Sequence, residues 1–228
     1  MTSATVFTQD IVGTHSVGND RPQIEKALTT GVIIRDQDPT RIGEFNVKEE
    51  YIPVRFQDKT IAVITRHRNI ETMRTPSKLE LNYREIANLL YRMVVSGDFP
   101  IQDSTYRSES APRVGDGLIR LDRNSSITFA SPNARSAFSR LGWKKDMEGT
   151  AIGEILEELS RSQEPREESW LASMNGRSAR RAEFENENGI LDLLAIPLIE
   201  SGEHSGAVVL IHNVTELRRR DQIGRAHV

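Results

Sequence analysis

Residues 206–221 read GAVVLIHNVTELRRRD. Ala207-Val208-Val209-Leu210-Ile211 is an unbroken apolar run, the pattern of a strand covered on both faces. Beyond His212-Asn213-Val214-Thr215 come Glu216-Leu217-Arg218-Arg219-Arg220-Asp221, charged and helix-prone with no breaker. A core strand feeding an exit helix suits a domain that hands a signal onward. The chain therefore reads as an input module, with its output domain expected beyond Asp221 or Gln222.

Upstream of that strand, residues 180–186 alternate, with Ala182 and Phe184 on one side and Arg181, Glu183 and Glu185 on the other. Asn188-Gly189 is a hairpin signal, and the long apolar stretch Ile190–Ile199 follows it. Earlier, GLIRLD at 117–122 places Ile119 and Leu121 on one face, and Ile127–Ala130 returns as its partner after a turn. Ser131 caps a helix that has Pro132 at its first position, the apolar stripe Ala134, Ala137, Phe138, Leu141, and a stop at Gly142. Ile152, Ile155, Leu156 and Leu159 repeat the stripe, and a third helix near residues 167–174 carries Trp170. Two strands, short helices and three antiparallel strands give a sheet under a helical cover that can enclose a cavity.

The first part of the chain is a second unit of the same kind. Residues 5–12 read as a strand, and Pro22 opens a helix with Ile24, Ala27 and Leu28 that stops at Gly31. Gly31–Arg35 is a short strand. In 46–56, Ile52, Val54 and Phe56 alternate with Pro53 and Arg55; 60–66 is apolar through Ile61–Ile64, and Gln57-Asp58-Lys59 joins the two as a hairpin. Thr75 and Pro76 open a helix reaching about Ser96, on which Leu79, Tyr83, Ile86, Leu90, Met93 and Gly97 share a face. That face fits two uses: packing on the first domain's sheet, or a seam that dimerises or conducts signal. Fewer than four heptads do not choose between them. The polar, Ser-rich stretch 98–116 marks the boundary.

Composition excludes much. The 228 residues carry a net charge of −3, with 37% hydrophobic residues, which allows one or two cored domains and no bias toward nucleic acid or an anionic membrane. The absence of cysteine removes disulfides, thiolate metal ligands and cysteine catalysis. No apolar run approaches the roughly 18 residues of a membrane span, and MTSATVFTQD lacks a signal-peptide pattern. The expectation is a cytoplasmic protein with neither membrane nor direct nucleic-acid contact. Residues 223–228 (IGRAHV) resemble an adapter read through in frame and are set aside as a scar. Phosphate-loop, zinc-protease and nucleophile-elbow motifs are missing, and the five histidines share no ligand spacing, so no catalytic or metal residue is assigned. His212 reads as a satisfied core or edge histidine. Arg66-His67-Arg68 and Arg218-Arg219-Arg220 read first as solvated faces.

GLIRLD followed by ITFASPNARSAF, and the closing GAVVLIHNVTE, resemble a PAS domain. Asn133 matches the Asn that follows the second PAS strand, and Asn213-Val214-Thr215-Glu216 matches the closing Asp-(Ile/Val)-Thr-Glu signature. Asn213 stands where an acid is usual, so it accepts hydrogen bonds but forms no ion pair. Across both domains, EYIPVRFQDKTIAVITRHRN, TPSKLELNY, SAPRVGDGLIRLD, SPNARSAFSRLGW and NVTELRRRD resemble the sensory half of PdtaS-type actinobacterial histidine kinases.

The resemblance implies an α+β chain of two antiparallel sheets with helices packed on them. Its parts are a partial GAF-like domain at 1–97, a linker at 98–116, a PAS domain at 117–217 and the start of an exit helix at 218–222. It implies a cytosolic homodimer whose kinase core, expected outside this chain, uses ATP and Mg and phosphorylates an antiterminator-type response regulator that binds RNA. Within this chain it implies no cofactor; Trp170 and Met174 stand where a haem PAS would place its axial His. Signal transmission falls to Asn213, Thr215 and Glu216, and Phe138, Trp170 and Phe184 are candidate pocket walls or filled core. Arg66 and Arg68 would flank a GAF pocket for an anion such as a cyclic dinucleotide, through paired hydrogen bonds. Two other readings stay open: the sensor of a cyclic-dinucleotide synthase or phosphatase, and a ligand-free dimerisation scaffold.

Overall fold

The structure is a computed structural model that describes residues 21–42, 45–70, 75–98, 101–102, 115–160 and 178–215. The chain divides into two compact units, residues 1–78 with 91–98 and residues 79–90 with 99–228. Each is an antiparallel sheet with helices packed on it, the α+β arrangement expected. The expected strand at 5–12, the third helix with Trp170, and the exit helix lie outside the described residues.

In the first unit, α1 (Pro22–Thr30) ends as the sequence indicates. Gly31 takes the left-handed conformation (φ 62°) and its N–H donates to Ala27 O. Strands β1 (Ile34–Arg35) and β2 (Thr40–Ile42) pair along one edge of β3 (Phe45–Phe56), and β4 (Lys59–Asn69) pairs along the other. The β3–β4 hairpin turns through Gln57 and Asp58, both at positive φ (46° and 63°), the turn whose twist matches two right-twisted strands. The expected alternation is only half realised. Tyr51, Ile52, Pro53 and Val54 are buried in succession, so this part of β3 is covered on both faces. Phe56 and Ile61, near the hairpin end, are 45% and 53% exposed.

Among the described residues the second unit contains one six-stranded sheet. Its strands are β5 (Ile101–Gln102), β6 (Gly117–Leu121), β7 (Ile127–Ala130), β8 (Ser178–Asn186), β9 (Gly189–Glu200) and β10 (Glu203–Asn213). Their order is β5-β8-β9-β10-β6-β7, antiparallel throughout except for β5 against β8. β5 falls inside the stretch read as linker. Helices α3 (Pro132–Arg140) and α4 (Ile152–Ser160) follow β7 in sequence. Ser131 caps α3 as expected, its Oγ accepting from the Ala134 N–H, and the same oxygen also accepts from the Leu118 N–H at 2.9 Å. It is the one buried polar side chain among the described residues, at 1% exposure, and while one bond caps α3 the other holds that helix start to β6. Gly117 allows this close approach, since a Cβ there would lie 2.7 Å from Ala134 Cα.

One cluster joins Phe138, Ile155 and Leu156 of the helices to Ile119, Leu121, Phe184, Leu191, Leu193, Val209 and Ile211 of the sheet. The other face carries Phe129, Leu198 and Val208, packed against Ile86, Leu89 and Leu90 of helix α2 (Lys78–Val95). Both faces of β10 are therefore covered, which is why residues 207–211 are apolar without a break. This corrects the reading of α2 as packed on the first domain's sheet. Residues 79–90 belong with the second unit, with the Tyr83 ring edge-on to Phe129 and Glu85 bound to Arg120 at 2.7 Å. Residues 91–98, with buried Met93, belong with the first. The helix also starts at Lys78, leaving Thr75 and Pro76 ahead of it in irregular backbone.

The β8–β9 turn falls one residue earlier than expected. Its central residues are Glu187 and Asn188, and Gly189 already pairs with Asn186. The Asn186 side chain takes over the turn by accepting from the N–H groups of Asn188 and Gly189 at 2.9 and 3.2 Å.

Candidate functional site

Strand β10 ends in a joint built by the Asn213-Val214-Thr215 motif. The β9–β10 ladder ends at the pair Leu191–Asn213. Beyond it, the Val214 N–H donates to Ile190 O at 3.1 Å. Thr215 then imitates a strand residue with its side chain: Oγ1 accepts from the Ile190 N–H at 2.9 Å and donates to Ile190 O at 3.3 Å. Asn213 Oδ1 accepts from the Thr215 N–H at 3.0 Å, turning the backbone out of the strand. An amide suffices for that bond, so the Asn in place of an acid keeps this local function. Glu216 lies outside the described residues.

Gly189 makes the joint possible. A Cβ there would meet Thr215 Oγ1 at 2.6 Å and Leu141 Cδ2 at 3.3 Å. Sequence reading found the Thr but missed its partners Asn186, Gly189 and Ile190, because Asn-Gly was used up as a turn signal. One rung away, His212 Nδ1 lies 2.6 Å from Asp116 Oδ1, so this histidine is satisfied as expected. Its cross-strand neighbour Asp192 bonds Arg181 at 3.0 Å. Burial pushes the Asp192 carboxyl pKa above the usual carboxylate value; Arg181 and His212 oppose that shift, while Glu183 and Asp116 reinforce it. Asn133 Nδ2 donates to Asp116 O at 3.4 Å, which ties α3 to the start of β6. Phe138 and Phe184 are 0% and 5% exposed and belong to the packed core; Trp170 lies outside the described residues.

The first unit holds a cleft of about 260 Å³ lined by Arg35, Asp36, Lys48, Glu49, Glu50, Arg66 and Arg68. Arg66 is already engaged. Its guanidinium pairs with Glu50, which also binds Arg35 at 2.7 Å, and it lies 5.7 Å from the Tyr91 ring centroid. His67 Nε2 lies 2.6 Å from Glu49, and the same carboxylate accepts from the Tyr51 hydroxyl at 2.9 Å. Burial, then that bond to Glu49, holds the Tyr51 pKa well above the usual phenol value. Lys48 and Arg68 face each other across the β3–β4 ladder with no ion pair among the described residues. Like charges directly opposite on a sheet repel, so an anion between them would be favoured. Arg66 and Arg68 both line the cleft, but among the described residues the cations there without an ion pair are Lys48 and Arg68.

The GAF domain described for histidine kinase PdtaS matches residues 1–87. The sensor histidine kinase PdtaS of Mycolicibacterium smegmatis (strain ATCC 700084 / mc(2)155) is 36% identical over 229 residues, covering 97% of this chain and 46% of the relative. The PdtaS of Mycobacterium tuberculosis (strain CDC 1551 / Oshkosh) is 34% identical over 232 residues, with the same coverages. A solved sensor region of a sensor histidine kinase superposes with a TM-score of 0.70 at 31% identity, over 95% of this chain and 77% of that one. The chain belongs to the sensor regions of sensor histidine kinases and is similar to that of PdtaS.

It is a signal-input region whose residues 1–87 match the GAF domain of that kinase. The chain spans a little under half the length of the curated relatives it matches. Among the described residues no helix is long and apolar enough to cross a membrane, and no group of three or more His, Asp or Glu is placed to hold a metal.

Proposed function

We propose that this chain senses a small molecule or protein and passes the signal through β10 and the Thr215 joint to a histidine kinase core. That core would use ATP and Mg to phosphorylate its own histidine and then an antiterminator-type response regulator, working as a cytoplasmic homodimer. The observation that carries the reading is the Thr215 side chain, which fastens the outgoing backbone to Ile190 by two hydrogen bonds at the last rung of the sheet. Movement of β9 at that rung moves the exit.

The test joins this chain to the kinase half of the Mycolicibacterium smegmatis relative and follows phosphoryl incorporation from labelled ATP. Thr215→Val keeps the shape and removes both bonds. It should change the autophosphorylation rate by about fivefold to tenfold, the weight of one to two net hydrogen bonds. Thr215→Ser should restore the rate. A Thr215→Val chimera with the unmodified rate would overturn the relay. The buried Trp143 favours a ligand-binding sensor over a bare scaffold. It is 5% exposed in the core of the second unit, and among the described residues its indole N–H has no acceptor. An unsatisfied buried donor costs about 1–3 kcal/mol, which an acceptor on a bound molecule would recover.

For the first unit the ligand class we assign is a cyclic dinucleotide, its phosphates taken by Lys48 and Arg68. At about a hundredfold excess over Kd it should stabilise the protein by about 2.7 kcal/mol. Thermal unfolding should show that shift in the wild type and lose most of it in Lys48→Ala and Arg68→Ala. Equal shifts in all three proteins would reject the assignment.

A further inference from the structure

We infer that Asn186 is a positioning residue that couples the C-terminal ends of α3 and α4 to the exit at Thr215. It stands at the end of β8, half-buried, and its amide faces two ways. Oδ1 accepts from the Asn188 and Gly189 N–H groups and closes the turn. Nδ2 donates to Leu141 O, the C-cap of α3, at 3.0 Å and to Leu159 O, in the last turn of α4, at 3.4 Å. Asn188 Nδ2 adds a second bond to Leu141 O at 3.3 Å.

Helix C-termini leave carbonyls without intrahelical partners, and here one side chain satisfies two helices at once. The same side chain fixes the amide of Gly189, the residue on which Thr215 rests, and Ile190 follows directly with both of its backbone groups bonded to Thr215. A shift of either helix end therefore pulls the turn, and the turn carries Ile190 and the exit with it. The residue type is specific. Asp keeps the acceptor for the turn but cannot donate to the two carbonyls.

Leu159 is packed on the edge of the core, so Leu159→Ala loosens the end of α4 without touching the exit. Hydrogen exchange on the whole chain is measured in four proteins: wild type, L159A, N186D and N186D/L159A. In the wild-type background L159A should speed exchange of the Ile190 and Thr215 amides by about threefold to tenfold, the weight of one net hydrogen bond. In the N186D background the same substitution should change them by less than about twofold, since the route is cut. Equal acceleration in both backgrounds, or none in the wild type, overturns the coupling. Should N186D lose the native circular dichroism spectrum, N186S replaces it: its hydroxyl still accepts in the turn but has no amide to donate. A merely structural role for Asn186 would add to L159A rather than abolish its effect. The inference rests on Thr215 being the exit of a sensor. Because exchange is read without a kinase core, a silent kinase assay leaves the coupling standing, and a null exchange result leaves the sensor reading standing.

Discussion

Gly206→Ala should destabilise the second unit by about 4 kcal/mol, combining backbone strain of about 1–3 kcal/mol with displacement of close-packed atoms of similar size. Gly206 sits at φ 135°, beside a register shift in β10, and a Cβ there would lie 2.2 Å from Leu121 O. That oxygen is backbone on β6, directly in the ladder with β10, so the strand cannot step aside without losing pairs. Urea unfolding followed by tryptophan fluorescence reads the effect, because Trp143 is buried in the core of the second unit. Gly149→Ala is the internal control. Gly149 also has positive φ (87°), but nothing lies within 4 Å of its Cβ position, so only strain of about 1 kcal/mol is expected. Equal losses for the two substitutions would show that the close approach is relieved by movement of β10.

Phe138→Ala should cost about 3–5 kcal/mol, the range for removing an aromatic side chain from a closed core. Phe138 is 0% exposed, on the face of α3 that meets the sheet. The same experiment separates the two roles that the sequence leaves open for it. A ring packed on all sides leaves a cavity and a large loss. A ring forming the wall of a ligand chamber has neighbours on one side only, and its loss should fall below about 2 kcal/mol. The same fluorescence-detected unfolding reads out the difference, and a loss in the lower range would assign Phe138 to a pocket.

Local chemistry was the part of this protein most open to sequence reading. Ser131-Pro132 announces a capped helix, and Ser131 caps it; Gly31 announces a stop, and it makes one. The apolar run at 207–211 calls for cover on both faces, and the strand has it. What the sequence conceals are partners distant along the chain. The apolar face of residues 79–90 is evident, yet nothing in it says that Phe129, Leu198 and Val208 are its destination. Arg66 looks like a free cation until the β3–β4 register sets it opposite Glu50. Asn186 lies in a run of Glu and Asn that reads as a polar strand end, and its bonds to Leu141 and Leu159 depend on a turn displaced by one residue. The Thr215 motif was recognised, but its socket could be seen only once β9 and the exit were side by side.

The place of β10 in the sheet also bears on how the chain is made. It is the last strand of the sheet in chain order, yet it lies between β9 and β6, pairing residues 207–211 with 117–121. Closing that pair requires bringing together segments about ninety residues apart, a slow, high-contact-order step. On the ribosome, β6, β7, α3 and α4 emerge while the strand that must lie beside β6 is still inside the exit tunnel. Until it arrives, Ile119 and Leu121 have no neighbour along that edge, and the nascent unit presents an open, apolar sheet margin of the kind that chaperones bind. The second unit is therefore built to fold late, in one step, when its final strand is delivered.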